Sequence, residues 1–241
     1  MADHVGDASK IVYMPGDFVE NVKVSEKTSK AILGPGLKQD GDTVMVTKPG
    51  LLRHKEPNIY WIDCHSRRYV PVRGESVIGI VCAKAGDVFR VDIGGSEQAS
   101  LSYLSFESAT KRNRPDVKVG DIVYAKLLVA NKDMEPELVC IDSTGRSSGM
   151  GVIGRNGGFL YKCSLNLIRK ILSTNCPLLS RLGKQIPFET TVGMNGLIYV
   201  RARTTVQTIT IINAIAASEY MDNDQIISMC KKLADTFTMV Q

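Results

Sequence analysis

The sequence predicts an α+β chain built in three parts, and three observations carry that prediction. Short β-branched and aromatic runs separated by Pro-Gly turns fill the first 70 residues. Five further strand-like runs, with one long basic connection ahead of the fourth, extend to residue 142. Beyond residue 159 the apolar spacing changes from about 2 to about 3.6, and one hairpin signal at Asn195-Gly196 interrupts it.

Composition bounds what such a chain can be. Its 241 residues are 44% apolar and 23% charged, enough to build a core in each of two or three small domains. No apolar run approaches the roughly 20 residues that span a bilayer, and Met1-Ala2-Asp3-His4 opens no signal-like segment, so a soluble, intracellular protein is expected. Cys64, Cys82, Cys140, Cys163, Cys176 and Cys230 are scattered without a C-x-x-C pair, which points to reduced packing residues and to no metal site. The net charge of +5 is concentrated in residues 143–241, which hold 11 Lys/Arg against 5 Asp/Glu. A basic end on an otherwise near-neutral chain suits nucleic acid or an acidic protein surface.

Taken in order, the first ten residues are polar and expected to be loose. Ile11-Val12-Tyr13, Thr43–Thr47, Ile59–Ile62 and Arg68-Tyr69-Val70 read as strands, broken at Pro15-Gly16-Asp17, Gly34-Pro35-Gly36, Lys48-Pro49-Gly50 and Glu56-Pro57-Asn58, giving a small N-terminal β domain over 1–70. Over 71–142 the runs Val77–Ala83, Val88–Ile93, Gln98–Leu104, Ile122–Asn131 and Glu137–Ile141 follow, with Lys111-Arg112-Asn113-Arg114 in the long connection. Five strands in that spacing outline an OB β-barrel, whose second and third strands and flanking loops bind oligonucleotides. Residues 143–158 are rich in Gly and Ser and read as a linker. Gly149-Met150-Gly151-Val152-Ile153-Gly154 spells the dinucleotide pattern G-x-G-x-x-G, but turn residues rather than a helix follow it, so no nucleotide cofactor is expected.

The last part, 159–241, begins with a short strand. Ser164 caps a helix with Leu165, Ile168, Ile171 and Leu172 inside, and Pro177 starts a second with Leu178, Leu179 and Leu182, closed by Gly183. Strands on both sides of Asn195-Gly196 make a hairpin, the pair serving as the two central residues of a tight primed turn. A helix over 205–218 places Val206, Ile209, Ile212 and Ala216 on one face. Asp222 with Gln225 makes a capping box for a final helix carrying Ile226, Ile227, Cys230, Leu233, Ala234 and Phe237. The resulting order, β-α-α-β-β-α, is that of a KH-like domain. KH domains grip RNA through a GXXG loop between their first two helices, whereas Ser173-Thr174-Asn175-Cys176-Pro177 stands there and contains no glycine.

Specific phrases narrow this further. Arg68-Tyr69-Val70-Pro71-Val72 running into Val77–Val81, the segment Lys132–Cys140, and Pro187-Phe188-Glu189 through Gly193-Met194-Asn195-Gly196 resemble the S1/KH cap subunits of the RNA exosome, of the ribosomal RNA-processing protein 40 type. The resemblance covers about residues 15–237. It implies an S1-type OB barrel and a non-catalytic subunit seated on a ring of RNase-PH-like proteins beside other cap subunits. Such a subunit helps guide single-stranded RNA to a separate 3′–5′ exoribonuclease for rRNA processing and RNA degradation. It also implies residence in nucleus, nucleolus and cytoplasm, no cofactor and no membrane contact, and a structural role for the GxNG element, Gly193, Met194, Asn195 and Gly196, between barrel and KH-like domain. The sister S1/KH cap subunit and a free-standing S1/KH RNA-binding factor are the alternatives. Lys132–Cys140 fits the sister subunit poorly, and the positions at which strongly binding S1 domains carry aromatics and a histidine are here Ala85, Val88 and Ser102. Base stacking contributes roughly 1–3 kcal/mol per base, so RNA contact falls to charge, with Lys84, Arg90, Lys111, Arg112 and Arg114 as the candidates.

An enzyme is disfavoured. His4, His54 and His65 lie in no catalytic phrase, and the close acidic pair Asp222 and Asp224 doubles as a helix cap. The purified chain, incubated with labelled single-stranded RNA and Mg²⁺, is expected to leave the RNA intact. Processive 3′ shortening abolished by changing one carboxylate would contradict that expectation.

Overall fold

The structure, a computed structural model, describes residues 11–19, 31–131, 133–155 and 157–238, with side chains to residue 234. Its contacts divide the chain into two units, Met1–Ser66 and Arg67–Gln241. The expectation of a loose start, and the positions Lys132, Asn156 and the Phe237 side chain, lie outside the described residues.

The first unit holds β1 (Val12–Tyr13), β2 (Ile32–Leu33), β3 (Leu37–Asp40), β4 (Thr43–Val46), β5 (Gly50–Lys55) and β6 (Ile59–Asp63). A four-stranded sheet runs β1-β5-β6-β2, and β3 pairs with β4 as a separate hairpin. Alternation places Val44 and Val46 of β4 in the core with Ile62 of β6. The sequence reading lacked β2, β3 and β5 and placed one strand that does not form. β5 was hidden behind the turn-like Lys48-Pro49-Gly50, since Leu-Leu-Arg-His-Lys lacks a clean two-residue period. Arg68-Tyr69-Val70, read as a strand, forms no ladder. In the second unit Tyr69 is buried against the barrel core instead, and its hydroxyl donates to Glu75 (2.6 Å).

That second unit opens with β7 (Ser76–Ala85), β8 (Val88–Asp92), β9 (Ala99–Ser102), β10 (Ile122–Asn131), β11 (Met134–Val139) and β12 (Gly151–Ile153). β7 pairs antiparallel with β8 and β10, β8 with β9, β9 parallel with β11, and β11 returns to β10. Five strands therefore close on themselves, and no edge is left open in the barrel. Inward residues alternate along each strand, among them Phe89, Val91, Leu101, Val123 and Leu127. Burial pushes the Cys140 thiol in this core up to about 12, so it stays protonated and inert at neutral pH.

The stretch 143–158 does more than connect. It carries β12, which adds to the far edge of β10 with Val152 opposite Val123. Ahead of it, the Asp142 carboxylate accepts from the amides of Thr144 (2.8 Å) and Arg146 (3.0 Å) and from the hydroxyls of Thr144 and Ser148. Those donors hold the Asp142 carboxyl well below the usual range.

The KH-like part comprises β13 (Phe159–Lys162), α1 (Leu165–Leu172), α2 (Leu178–Gln185), β14 (Phe188–Val192), β15 (Leu197–Ala202), α3 (Thr205–Ala217) and α4 (Asn223–Thr238). Its sheet is antiparallel in the order β13-β15-β14. Ser164 caps α1 by accepting from the Leu167 amide (3.1 Å) while donating to Glu219 (2.5 Å). At the start of α4 the Asp222 amide donates to Gln225 Oε1 (3.1 Å), one half of the capping box read from sequence. The Lys170 ammonium donates to the carbonyls of Ser218 (2.6 Å), Glu219 (3.3 Å) and Met221 (2.6 Å), tying α1 to the turn that ends α3.

Three helical details depart from the sequence reading. α2 does not stop at Gly183 but runs to Gln185, with the Ile186 amide still donating to Leu182. A mid-helix glycine costs only about 1 kcal/mol, less than burying Leu178 and Leu182 contributes. Leu172 is half-exposed rather than inside. On α3 the buried stripe is Thr208, Ile211, Ile212 and Ile215, whereas Val206 and Ile209 are 69% and 52% exposed. This helix is apolar nearly all round, so spacing alone selects no face. Thr208 fastens the inward face to the end of β15: its hydroxyl donates to the Thr204 carbonyl (3.1 Å) and accepts from the Ala202 amide (3.1 Å). Thr208→Val is therefore expected to leave the Ala202 amide unpaired and lower stability by about 1–3 kcal/mol, measurable by urea titration; an unchanged midpoint would show that Thr208 does not fasten that face.

Candidate nucleic-acid interface and interdomain latch

β14 and β15 are joined by Gly193-Met194-Asn195-Gly196. The Gly196 amide donates to the Gly193 carbonyl (3.3 Å) and the Gly193 amide to the Leu197 carbonyl (2.8 Å). Of the four, Gly196 alone has positive φ, at 85°. That is a three-residue loop, a common turn over Met194-Asn195 followed by a left-handed glycine, and not the two-residue primed turn read from Asn195-Gly196. The difference frees the Asn195 side chain from turning the chain and points it at the barrel.

Asn195 is 4% exposed. Its amide nitrogen donates to the carbonyls of Ile78 (2.7 Å) and Ile93 (2.8 Å), and its oxygen accepts from the Ile78 amide (3.2 Å). Pairing between β7 and β8 begins at Ile80 opposite Asp92, so the edge of Ile78 lies beyond the end of that ladder. The Asn195 side chain takes the missing strand's place, offering a donor and an acceptor just as a peptide group does. The Met194 amide adds a bond to the Ser76 carbonyl (2.9 Å). A Cβ on Gly193 would come within 2.7 Å of the Ile78 nitrogen, and one on Gly196 within 2.9 Å of the Cys163 carbonyl oxygen. Both glycines are thus required by close approach, and Gly196 also by its backbone conformation.

The outer barrel face lies on β7, β8 and β9. Ala85 pairs with Val88 and Val88 with Ser102, so these three positions form one row across three strands. Ala83, Arg90 and Ser100 make the next row. The face carries no aromatic ring on which a base could stack, and its one cation, Arg90, is held by Glu135 at 2.6 Å.

The other candidates gather at the end of the barrel bearing the β7–β8 turn. The Lys84 ammonium stands 5.6 Å from the Phe89 ring. Arg114 meets Asp87 of that turn at 3.1 Å and the Tyr103 ring at 4.8 Å. Lys111 and Arg112 project from the tip of the 105–121 connection, exposed and without an ion-pair partner among the described residues. The five candidates are therefore unequal: Arg90 is neutralised on the face, Arg114 is engaged, and Lys111, Arg112 and Lys84 keep ammonium or guanidinium groups available to phosphate. Asp87, Tyr103 and the receiving residues Ile78 and Ile93 carry no signal in sequence, since their roles arise from distant partners. Between α1 and α2, residues 173–175 are exposed and bear no glycine. Among the described residues no cluster of His, Cys, Asp or Glu could hold a metal, and no helix is long and apolar enough to cross a membrane.

Family models match the chain in three stretches: the exosome complex component RRP40 S1 domain over residues 69–151, the mammalian exosome complex component RRP40 N-terminal region over 9–65, and a KH domain over 158–206. The human exosome complex component RRP40 is 54% identical over 233 residues, covering 92% of this chain and 84% of the relative. That of Drosophila melanogaster is 47% identical over 228 residues, covering 95% and 97%. A crystal structure described as an exosome complex RNA-binding protein superposes with a TM-score of 0.56 at 23% identity, over 68% of this chain and 96% of its own, and shares the fold.

Removing the latch tests its weight. Asn195→Ala leaves three buried backbone groups short of a partner, and at about 1–3 kcal/mol for each such group the barrel-to-KH contact is expected to weaken by several kcal/mol in total. Gly196→Val adds roughly 1–2 kcal/mol for the left-handed backbone and the collision with Cys163. Both variants should melt earlier than the parent by calorimetry. A parental melting temperature for Asn195→Ala would mean that its hydrogen bonds hold nothing together.

Proposed function

The chain belongs to the RRP40 family of exosome complex components, and from that membership we propose that it is a non-catalytic, RNA-binding cap subunit of an RNA exosome. In this reading it sits on RNase-PH-like ring subunits beside other cap subunits and guides single-stranded RNA towards a separate 3′–5′ exoribonuclease, in nucleus, nucleolus and cytoplasm. The observation that carries the RNA part is the pair of unpartnered cations, Lys111 and Arg112, on a projecting loop next to a barrel face without stacking groups. Such a surface touches phosphates and not bases, so it passes any sequence. Weak binding by one chain alone is what a threading path needs, because a tight site would stall the strand it is meant to release. The missing stacking platform also weighs against a free-standing RNA-binding factor, whose affinity would have to come from this chain alone.

Binding should fall steeply with salt, since phosphate contacts release counterions. At a slope of about 0.7 per phosphate on single strands, Lys111→Ala/Arg112→Ala is expected to reduce the slope of log K against log salt by about 1.4. Titrations of the full chain with labelled RNA oligomers of different sequence measure this. An unchanged slope would remove the loop from the RNA path, and strong preference for one sequence would point to a base-reading site.

A further inference from the structure

Arg114 carries the same charge as Lys111 and Arg112, yet its surroundings differ in kind. Its guanidinium lies 3.1 Å from the Asp87 carboxylate and 4.8 Å from the centroid of Tyr103. The backbones of those two residues are already joined, because the Tyr103 amide donates to the Asp87 main-chain carbonyl (3.2 Å). Arg114 thus docks against a preassembled end of the barrel, where the β7–β8 turn meets the end of β9. One residue earlier, Asn113 closes the loop tip. The Thr110 amide donates to the Asn113 carbonyl (2.9 Å), the Asn113 amide to Thr110 Oγ1 (3.0 Å), and the Asn113 side-chain amide to the Ser108 carbonyl (3.2 Å). Between these closures Lys111 and Arg112 occupy the apex.

We propose that Arg114 is a positioning residue and not an RNA ligand: gripped by Asp87 and Tyr103, it fixes the base of the loop so that Lys111 and Arg112 stand out as a set pair of phosphate contacts. The proposal rests on the reading of this loop as an RNA contact. A phosphate taken by Arg114 would sit beside the Asp87 carboxylate, whose charge opposes it, whereas a carboxylate at one end and a ring against one face are partners that suit a planar guanidinium and not a point charge. Ordering a loop at the moment of binding costs affinity, and a tip closed beforehand avoids that cost. Arg90 has a still closer carboxylate in Glu135 but lies on a strand, where no loop depends on it.

Asp87→Asn separates the two roles by sign. If Arg114 bound phosphate, losing the Asp87 charge would release the guanidinium and remove an anion from the RNA path, so RNA would bind more tightly. If Arg114 positions the loop, the same change weakens binding although a negative charge has gone. Anisotropy titrations of a labelled single-stranded RNA with the full chain, across a salt series, read the difference. Asp87→Asn and Arg114→Lys are each expected to raise Kd severalfold, the second while keeping the charge. Neither should have a further effect in a Lys111→Ala/Arg112→Ala background. Tighter binding by Asp87→Asn would overturn the positioning role, as would an equal loss from Arg114→Lys in the parent and in that background. Failure of Lys111→Ala/Arg112→Ala to weaken binding at all would remove instead the reading on which the proposal rests.

Discussion

One buried amide fastens the KH-like hairpin to the barrel in the second unit. Asn195 reaches from the KH-like hairpin to the backbone of Ile78 and Ile93, and it is buried where water cannot substitute for it. The strength of the contact lies in the alternative: with the amide gone, the barrel's own N–H and C=O groups stay buried and unpaired, which costs more than the bonds contribute net. Much nearby follows from this. The loop must be short enough to deliver the side chain, Gly196 must take a left-handed turn to return into β15, and Gly193 must lack a Cβ to pass Ile78. Asp cannot replace Asn, because a carboxylate would face two carbonyl oxygens.

Most of the architecture was legible in the sequence because strand and helix periods are local properties. The five barrel strands, the capping residues Ser164 and Asp222, and the β-α-α-β-β-α order all follow from spacing and from side chains that bond within a few residues. The misreadings share a cause as well. Arg68-Tyr69-Val70 has strand-like composition but finds its partner in Glu75 and the barrel core; α3 has apolar residues on several faces, and the one turned inward carries Thr208 bonded to the end of β15. At the hairpin, Asn-Gly marked the turn but not its type, which depends on where the Asn side chain is needed. For the charged candidates, residue type announced cations, but whether each is free depended on partners such as Glu135 and Asp87, 45 and 27 positions away in sequence.

On the function proposed above, the outer barrel face exchanges one kind of nucleic-acid contact for another. OB barrels offer the same three strands to oligonucleotides, and what those strands display decides whether bases or only backbone is read. Here Ala85, Val88 and Ser102 form a low row with no π-surface, while the unpaired charge of Lys111 and Arg112 lies off the face on a loop tip. Charge at the end of a loop meets a strand in passing, whereas rings on a face would hold it.

The latch also has a direction in time. Ile78 and Asn195 are 117 positions apart, so on the ribosome the barrel strands emerge long before the residue that seals their exposed edge. The nascent barrel can close through its own β9–β11 and β10–β11 pairs, but the backbone of Ile78 stays solvated until the last third of the chain has been made. Translation therefore delivers the barrel strands first and the residue that fastens them to the KH-like hairpin only 117 positions after Ile78, so a chain that stops between the two is left with an open seam.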